Sequence, residues 1–130
     1  VFVHDAVRCL ITVELIQKCY EAVLTYGSAI PVVNCTDSIR YISLDGNEAI
    51  NRNLIKIVQT PQAYRYGNIL DVYNYGFANN IGIHGSSYAN TLMADVGEEL
   101  YFSEGSTKNI KITTKDDIAI FKAMIDMQRS

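Results

Sequence analysis

Residues 1–33 read VFVHDAVRCLITVELIQKCYEAVLTYGSAIPVV, and they place a strand, a helix and a second strand in that order. Residues 1–3 are β-branched or aromatic without a break, which predicts a short buried strand. Thr12 is a typical helix N-cap, and apolar side chains then recur at helical spacing up to Gly27, a typical C-cap. Residues 29–33 are apolar throughout and predict the second strand.

The remainder of the chain continues this alternation. Thr114, followed three residues later by Asp117, resembles a capping box and predicts the start of the last helix. Strands that alternate with helices indicate an α/β fold with a mainly parallel sheet and helices on its faces. Further strands are predicted at 55–59, 100–102 and 110–113, and further helices at 68–78, 88–96 and from 114 onward.

A hairpin interrupts the alternation after residue 37. Asp45-Gly46-Asn47 lies between two short extended pieces, which is a typical hairpin signal. Both faces of the hairpin would carry apolar groups, with Tyr41 on one face and Ile42 on the other. The hairpin therefore needs cover on both sides, which a partner subunit would supply.

Composition excludes several classes of protein. The 130 residues suit one domain, and the net charge of -3 without a basic cluster argues against nucleic acid and acidic membrane surfaces as partners. No apolar stretch reaches the ~20 residues of a membrane helix, and no secretory leader is visible. The cysteines are scattered and form no CxxC pair, so we expect free thiols in a reducing cytoplasm. Because Val1 lies inside a strand-like run, we expect the N-terminal part of the domain to be missing.

Several polar side chains follow predicted strands, where ligands bind in α/β sheets. Asp5 and Thr60 each come directly after a strand, Arg8 lies one turn beyond Asp5, and Lys111 lies in the last predicted strand. Simpler interpretations stay open: Asp5 and Arg8 form a surface ion pair, and Lys111 points outward from an edge. His4 is interpreted as a hydrogen-bonded structural histidine, because no nucleophilic Ser or Cys pattern accompanies it. The residues alone therefore predict an α/β domain with an anion site.

Three blocks add a family resemblance. VHDAVR at 3–8, VQTPQAYR at 58–65 and NIKITTKDD at 109–117 together resemble the 2-C-methyl-D-erythritol 4-phosphate cytidylyltransferases and the related ribitol-5-phosphate cytidylyltransferases. The resemblance implies a Rossmann-like α/β fold and a homodimer that forms through a β-arm at about 36–51. It further implies that residues 1–130 are the C-terminal part of one nucleotidyltransferase domain. The glycine-rich CTP loop would lie upstream, so this piece alone would be inactive.

The resemblance also implies substrates and residue roles. The substrates would be CTP and a polyol phosphate, with Mg²⁺ as cofactor. Lys111 and Asp5 would be catalytic, and Asp5 is also a candidate metal ligand. The remaining candidates would bind substrate: Arg8, Ser38, Arg52, Thr60 and Ser87. Arg52 would reach across the dimer to the acceptor phosphate, although a solvated loop arginine remains the simpler interpretation.

The sequence departs from the family pattern at two places. Cys9 stands where the family usually has proline, and residues 87–91 lack the acid that the family commonly carries there, with Tyr88 in place of a carboxylate. The second change affects the acceptor pocket. Methylerythritol phosphate is the first candidate acceptor and ribitol 5-phosphate the alternative. A further alternative is an inactive paralogue, or a fragment that acts in dimerisation or binding.

Overall fold

The structure, a computed structural model, describes residues 1–82 and 89–130. In chain order, the described residues form a strand, a helix and a strand, then a hairpin of two strands and a 3-10 turn. Two strands, two helices, a further strand and a last helix follow. The strands are β1 (Phe2–Val3), β2 (Ser28–Asn34), β3 (Ile39–Ser43), β4 (Gly46–Ile50), β5 (Lys56–Val58), β6 (Gln62–Tyr64) and β7 (Phe102–Glu104). The helices are α1 (Val13–Tyr26), α2 (Tyr66–Ala78), α3 (Ala89–Asp95) and α4 (Lys115–Arg129), and a 3-10 turn covers Arg52–Leu54.

The predicted strand–helix–strand unit at the start of the chain is confirmed. The Thr12 side chain accepts a hydrogen bond from Leu15 N, and Gly27 ends α1 with φ 86°, a conformation that favours glycine. β1 and β2 both pair antiparallel with β6, so they run in the same direction with α1 crossing between them. This is the βαβ arrangement that the pattern predicted.

The α/β fold is confirmed, but the prediction of a mainly parallel sheet is wrong for the described strands. Of the four pairings within the five-stranded sheet, only that of β2 with β7 is parallel. The physical reason is the connection after β2. The chain returns through a hairpin and a short turn rather than through a helix, and without a crossover helix a returning strand pairs antiparallel.

β5 and β6 lie along the same edge of β2. The register pairs Ser28 with Tyr64 at one end of β2 and Asn34 with Lys56 at the other, while β7 pairs with the opposite edge. Between β5 and β6 the chain passes through a cis peptide bond at Thr60-Pro61. The strand β6 was not predicted, and its pairing with both β1 and β2 places it inside the sheet.

Helices cover both faces of this sheet, as predicted. Neighbouring residues on a strand point to opposite faces, and two clusters of buried side chains follow that rule. One cluster packs α1 against the sheet through Cys19, Val23, Ala29 and Ala63. The other packs α2 and α3 against the opposite face and contains Ile30, Tyr64, Ile69, Val72, Ala89, Leu92 and Met93.

The hairpin predicted after residue 37 is confirmed as β3 and β4. Ser43 pairs with Gly46 across a two-residue turn, and Gly46 has φ 137°, outside the range that other residues readily adopt. Both faces are exposed: Tyr41 is 56% and Ile42 72% accessible. We call residues 36–51 the arm.

Three further predictions are corrected. β1 is not buried, because Phe2 remains 44% exposed on an edge strand. Residues 110–113 form no strand; Ile112 N donates instead to the Val7 carbonyl oxygen, which holds the segment as a loop against the chain after β1. The strand predicted at 100–102 is β7, two residues later. Among the described residues, no helix has the length and apolar character needed to cross a bilayer.

Candidate active site

A cavity of about 310 Å³ lies where the segment after β1 meets the turn between β5 and β6. Four of the seven predicted site residues line it, although they come from widely separated parts of the chain. The described lining consists of Asp5, Arg8, Val58, Gln59, Thr60, Gln62, Asn90, Thr91 and Lys111.

Asp5 and Arg8 form an ion pair at the edge of the cavity. Arg8 Nε donates to Asp5 Oδ2 at 3.2 Å, and the two side chains are only 23% and 10% exposed for Asp5 and Arg8 respectively. A second guanidinium nitrogen, Nη1, donates to the Asn109 carbonyl oxygen at 2.6 Å. The guanidinium has five N–H groups, so these two contacts fix its orientation and leave donors for an anion.

Thr60 is buried and ties the turn before β6 to the segment after β1. Its Oγ1 accepts a hydrogen bond from Asp5 N at 2.9 Å and lies 3.0 Å from His4 Nδ1. The other ring nitrogen of His4 lies 3.0 Å from the Arg8 carbonyl oxygen. The interpretation of His4 as a hydrogen-bonded histidine therefore agrees with its geometry.

Lys111 lies in a loop between β7 and α4 that contains no regular secondary structure. Two residues before it, Asn109 is buried and donates through Nδ2 to the Thr60 carbonyl oxygen at 2.8 Å. One residue after it, Ile112 N donates to Val7 O at 3.0 Å. Backbone and side-chain contacts on both sides therefore hold Lys111, which is half-buried, at the cavity.

Gln59 holds the beginning of the same loop. Its Nε2 donates to the Ser106 carbonyl oxygen at 2.8 Å, and its Oε1 accepts from Ser106 N at 3.1 Å. Gly105 permits this contact, because a Cβ there would lie 2.6 Å from Gln59 Oε1 and 2.9 Å from Val32 O. The side-chain amide of Gln59 thus forms a pair of hydrogen bonds with the backbone of Ser106 and holds the loop against the sheet.

Gln62 holds the part of the cavity wall that α3 contributes through Asn90 and Thr91. Its Oε1 accepts from the Tyr64 hydroxyl at 2.7 Å and from Asn90 N at 3.2 Å, and its Nε2 donates to Asn90 Oδ1 and the Gln59 carbonyl oxygen. Burial raises the pKa of the Tyr64 hydroxyl, which keeps it protonated and donating to Gln62. All four hydrogen-bonding positions of the Gln62 amide are therefore occupied, and Gln62 fixes the first turn of α3 beside the cavity.

Three predicted site residues are not brought to this cavity within the described chain. Ser38 is exposed at the start of the arm. Arg52 lines a separate hollow with Asn34, Cys35, Thr36 and Asn53, and its Nη1 donates to the Thr36 carbonyl oxygen at 3.0 Å. Ser87, like Tyr88, lies outside the described residues. Their roles stay predictions.

Sequence reasoning missed the residues that hold the site together. Gln59 and Gln62 stand in VQTPQAYR, and Asn109 stands in NIKITTKDD, yet only Thr60 and Lys111 were chosen from these blocks. The available signal was the presence of uncharged polar residues in otherwise apolar or strand-like runs. Such residues are hydrogen-bonded when they are buried.

The charges in the cavity favour an anion. Among the described lining residues, Arg8 and Lys111 are cations and Asp5 is the carboxylate, which leaves one positive charge in excess. No cluster of three His, Cys, Asp or Glu side chains that would hold a metal exists in residues 1–82 and 89–130. The single carboxylate of the described lining, Asp5, is compatible with Mg²⁺. Proteins commonly bind this ion through one or two carboxylates together with phosphate oxygens of the substrate.

The chain is similar in sequence to one family of known proteins. The sequence model for "IspD: 2-C-methyl-D-erythritol 4-phosphate cytidylyltransferase" matches residues 1–127. Over 131 aligned residues the chain is 40% identical to ribitol-5-phosphate cytidylyltransferase of Lacticaseibacillus paracasei, covering 96% of this chain and 54% of that protein. It is 33% identical to 2-C-methyl-D-erythritol 4-phosphate cytidylyltransferase of Bacteroides thetaiotaomicron, covering 95% and 54%. The chain therefore spans about half the length of these curated relatives.

Solved structures agree on the fold. The crystal structure of 4-diphosphocytidyl-2C-methyl-D-erythritol synthase from Anaerococcus prevotii is 26% identical, with a TM-score of 0.83 over 96% of this chain and 56% of that one. The 2-C-methyl-D-erythritol 4-phosphate cytidylyltransferase of Thermus thermophilus has a TM-score of 0.84 at 23% identity, over 95% and 60%. The resemblance inferred from the three blocks is thus confirmed, and the chain belongs to the IspD family of cytidylyltransferases.

Proposed function

We propose that the full-length protein transfers CMP from CTP to a polyol phosphate and releases pyrophosphate. The observation that carries this proposal is the convergence of Asp5, Arg8, Thr60 and Lys111 on one cavity with an excess of positive charge. Family membership supplies the reaction class, since the relatives compared above are cytidylyltransferases.

The proposed reaction needs no covalent nucleophile from the protein. A phosphate oxygen of the acceptor attacks the α-phosphorus of CTP, and the bond from that phosphorus to the oxygen of the leaving pyrophosphate breaks. Negative charge gathers on the phosphoryl oxygens, so fixed cations accelerate the step. Lys111 serves as a point charge, while the oriented guanidinium of Arg8 offers paired donors to a phosphate.

We propose Mg²⁺ as the cofactor. Asp5 is the described cavity residue that would hold it, together with phosphate oxygens of CTP. When bound, the ion neutralises charge on the phosphates. Removal of divalent ions with EDTA should abolish pyrophosphate release, and added Mg²⁺ should restore it; full activity in EDTA would exclude this cofactor.

Two acceptors are candidates, and each has its own support. The family model names methylerythritol phosphate, an acceptor consistent with isoprenoid precursor synthesis, whereas the 40% identical relative names ribitol 5-phosphate. Purified full-length protein with CTP and Mg²⁺ should release pyrophosphate with one of the two. Release with neither acceptor would refute the proposed function and favour an inactive paralogue or a binding fragment.

We further propose a homodimer in which the arm of one subunit completes the site of the other. Both faces of the arm are exposed, and Arg52 stands at its base, in a hollow distinct from the cavity. We expect Arg52→Ala to raise the acceptor KM about 10- to 100-fold, the scale of a lost hydrogen bond to a charged group, and to leave the CTP KM nearly unchanged. Arg40→Ala is the matched control, because Arg40 donates only to Asn47 within the described arm.

A mixed-dimer experiment tests the exchange between subunits. At an acceptor concentration well below the raised KM, Arg52→Ala subunits and Lys111→Ala subunits are each expected to be nearly inactive alone. When mixed, some dimers would contain one intact site, so part of the activity should return. Mixtures as inactive as the separate variants would refute the exchange.

We also propose a cytoplasmic location. The free thiols of Cys9, Cys19 and Cys35 support it, because disulfides are rare in that reducing compartment.

A further inference from the structure

His4 contacts two residues that line the cavity, Arg8 and Thr60, through one ring nitrogen each. Nε2 is 3.0 Å from the Arg8 carbonyl oxygen, and Nδ1 is 3.0 Å from Thr60 Oγ1. Neither contact involves a residue next to His4 in the chain, since Thr60 is 56 residues away and Arg8 is four. The ring is therefore held in one orientation although His4 itself is exposed.

The partners decide where the imidazole carries its proton. A carbonyl oxygen can only accept, so Nε2 donates to Arg8 O and bears the hydrogen. In the neutral imidazole Nδ1 then has a lone pair, and the Thr60 hydroxyl donates its hydrogen to that lone pair. The Nε2–H tautomer therefore satisfies both contacts.

This tautomer determines which hydrogen-bonding capacity the Thr60 hydroxyl retains for a ligand. A hydroxyl has one hydrogen and two lone pairs, and the hydrogen of Thr60 is directed to His4. One lone pair accepts from Asp5 N at 2.9 Å. The capacity that remains is one lone pair, in a residue that lines the cavity. A ligand must therefore present a donor to it, which a polyol hydroxyl has and a fully ionised phosphate oxygen lacks.

We propose that His4 is a positioning residue, which fixes the Thr60 hydroxyl as a hydrogen-bond acceptor for a hydroxyl group of the acceptor substrate. The identity of that substrate rests on the proposed function. The tautomer and the direction of the Thr60 hydrogen bond do not, so they are tested separately.

The kinetic test uses two substitutions in the full-length protein. Asparagine carries its amide near the position of Nδ1, so His4→Asn can keep an acceptor for the Thr60 hydroxyl. Glutamine reaches the position of Nε2, so His4→Gln keeps the donor to the Arg8 carbonyl and loses the contact with Thr60. The two variants therefore separate the two contacts of one ring.

We expect His4→Gln to raise the acceptor KM about tenfold, the scale of one net hydrogen bond, with the CTP KM within about twofold of the wild type. His4→Asn should stay within about threefold for both substrates. An acceptor KM that is unchanged in His4→Gln, or equally raised in both variants, would overturn the proposal. Thermal midpoints of both variants are measured alongside, because a purely structural role would lower the midpoint without this difference in KM.

The second test reads the tautomer directly and needs no substrate. Long-range proton–nitrogen correlation spectra of the ¹⁵N-labelled full-length protein resolve the two ring nitrogens, and the His4→Asn spectrum identifies the His4 signals. We expect the proton on Nε2; a proton on Nδ1 would overturn the assignment. If the wild type uses neither polyol phosphate, the proposed function fails, and this spectrum still decides the geometry of His4.

Discussion

Gly105→Ala should displace the loop that carries Lys111. A Cβ at this position would lie 2.6 Å from Gln59 Oε1, 2.9 Å from Val32 O and 3.1 Å from Val32 C. The end of the Gln59 side chain can move away, but Val32 O belongs to the backbone of β2. Because β2 lies inside the sheet, the loop itself must shift.

The expected cost follows from the contacts that this shift disturbs. Three hydrogen bonds hold the loop here: Gly105 N to Val32 O at 2.9 Å, Gln59 Nε2 to Ser106 O at 2.8 Å, and Ser106 N to Gln59 Oε1 at 3.1 Å. Each contributes about 0.5–1.5 kcal/mol, and overpacking strain adds about 1–3 kcal/mol. A larger shift relieves strain while it breaks more bonds, so the two costs do not add fully. We expect the free energy of unfolding to fall by about 2–4 kcal/mol.

Urea unfolding of the full-length protein, followed by circular dichroism, measures this change. The matched control is Gly67→Ala in the first turn of α2, where an added Cβ meets nothing within 4 Å. Alanine there should be neutral or stabilise by up to about 1 kcal/mol. The packing argument fails if Gly105→Ala unfolds at the wild-type urea concentration, or if Gly67→Ala loses as much stability.

A double variant separates the two obstacles. Gln59→Ala removes the side chain nearest to the new Cβ but leaves Val32 O in place. Gly105→Ala combined with Gln59→Ala should therefore be no more stable than Gly105→Ala alone. Recovery of stability in the double variant would show that the Gln59 side chain, and not the strand backbone, limits the approach of the loop.

Three further predictions concern stability, each measured by unfolding of the full-length protein. Hydrogen bonds from Thr113 and Thr114 lower the pKa of Asp117 from 3.8 to about 2, so its ionised form stabilises the fold above pH 3.8, and this contribution is lost as the pH falls toward 2. An acid titration of Asp117→Asn should lack that step, whereas an unchanged titration would contradict the assignment. Leu92→Ala, in the core between α2 and α3, should cost about 2–5 kcal/mol in urea unfolding, and a loss below about 1 kcal/mol would contradict its burial. Asn109→Ala leaves the Thr60 carbonyl without its donor and should cost about 1–3 kcal/mol, with an unchanged urea midpoint as the contrary result.

Helices were predicted from sequence more accurately than strands. The ends of α1 are marked by Thr12 and Gly27, and the start of α4 by the capping box of Thr114 and Asp117, which the structure contains in full. These signals act within a few residues, so a single sequence displays them. Helix propensity and capping do not depend on which parts of the chain pack together.

The strand β6 shows why strands were harder to predict. Gln62–Tyr64 has three residues, begins directly after Pro61 and contains a polar side chain, so it lacks an apolar run. What makes it a strand is its pairing with β1 and β2, from distant parts of the sequence. Burial on both faces then follows from the sheet and not from local pattern.

The candidate site was predicted through its charged and hydroxyl side chains, and the residues that hold them were not. A charged residue next to an apolar strand indicates a site, because burial of an unpaired charge costs much free energy. Gln59 and Asn109 carry no charge, and their importance lies in hydrogen bonds to distant backbone atoms. Contacts of this kind follow from the tertiary fold and leave little trace in a single sequence.

The antiparallel pairing that the sequence did not predict is what brings Asp5 to Thr60. The prediction placed both residues at the carboxyl ends of parallel strands, yet β6 runs opposite to β1. Their register pairs Phe2 with Ala63 and Val3 with Gln62, so each partner moves back one residue as β1 advances one. Continued by two positions, the same register sets Asp5 opposite Thr60, and Asp5 N indeed donates to Thr60 Oγ1 at 2.9 Å. The correct neighbours were therefore predicted for the wrong reason, because the site is an extension of an antiparallel ladder past the end of β1.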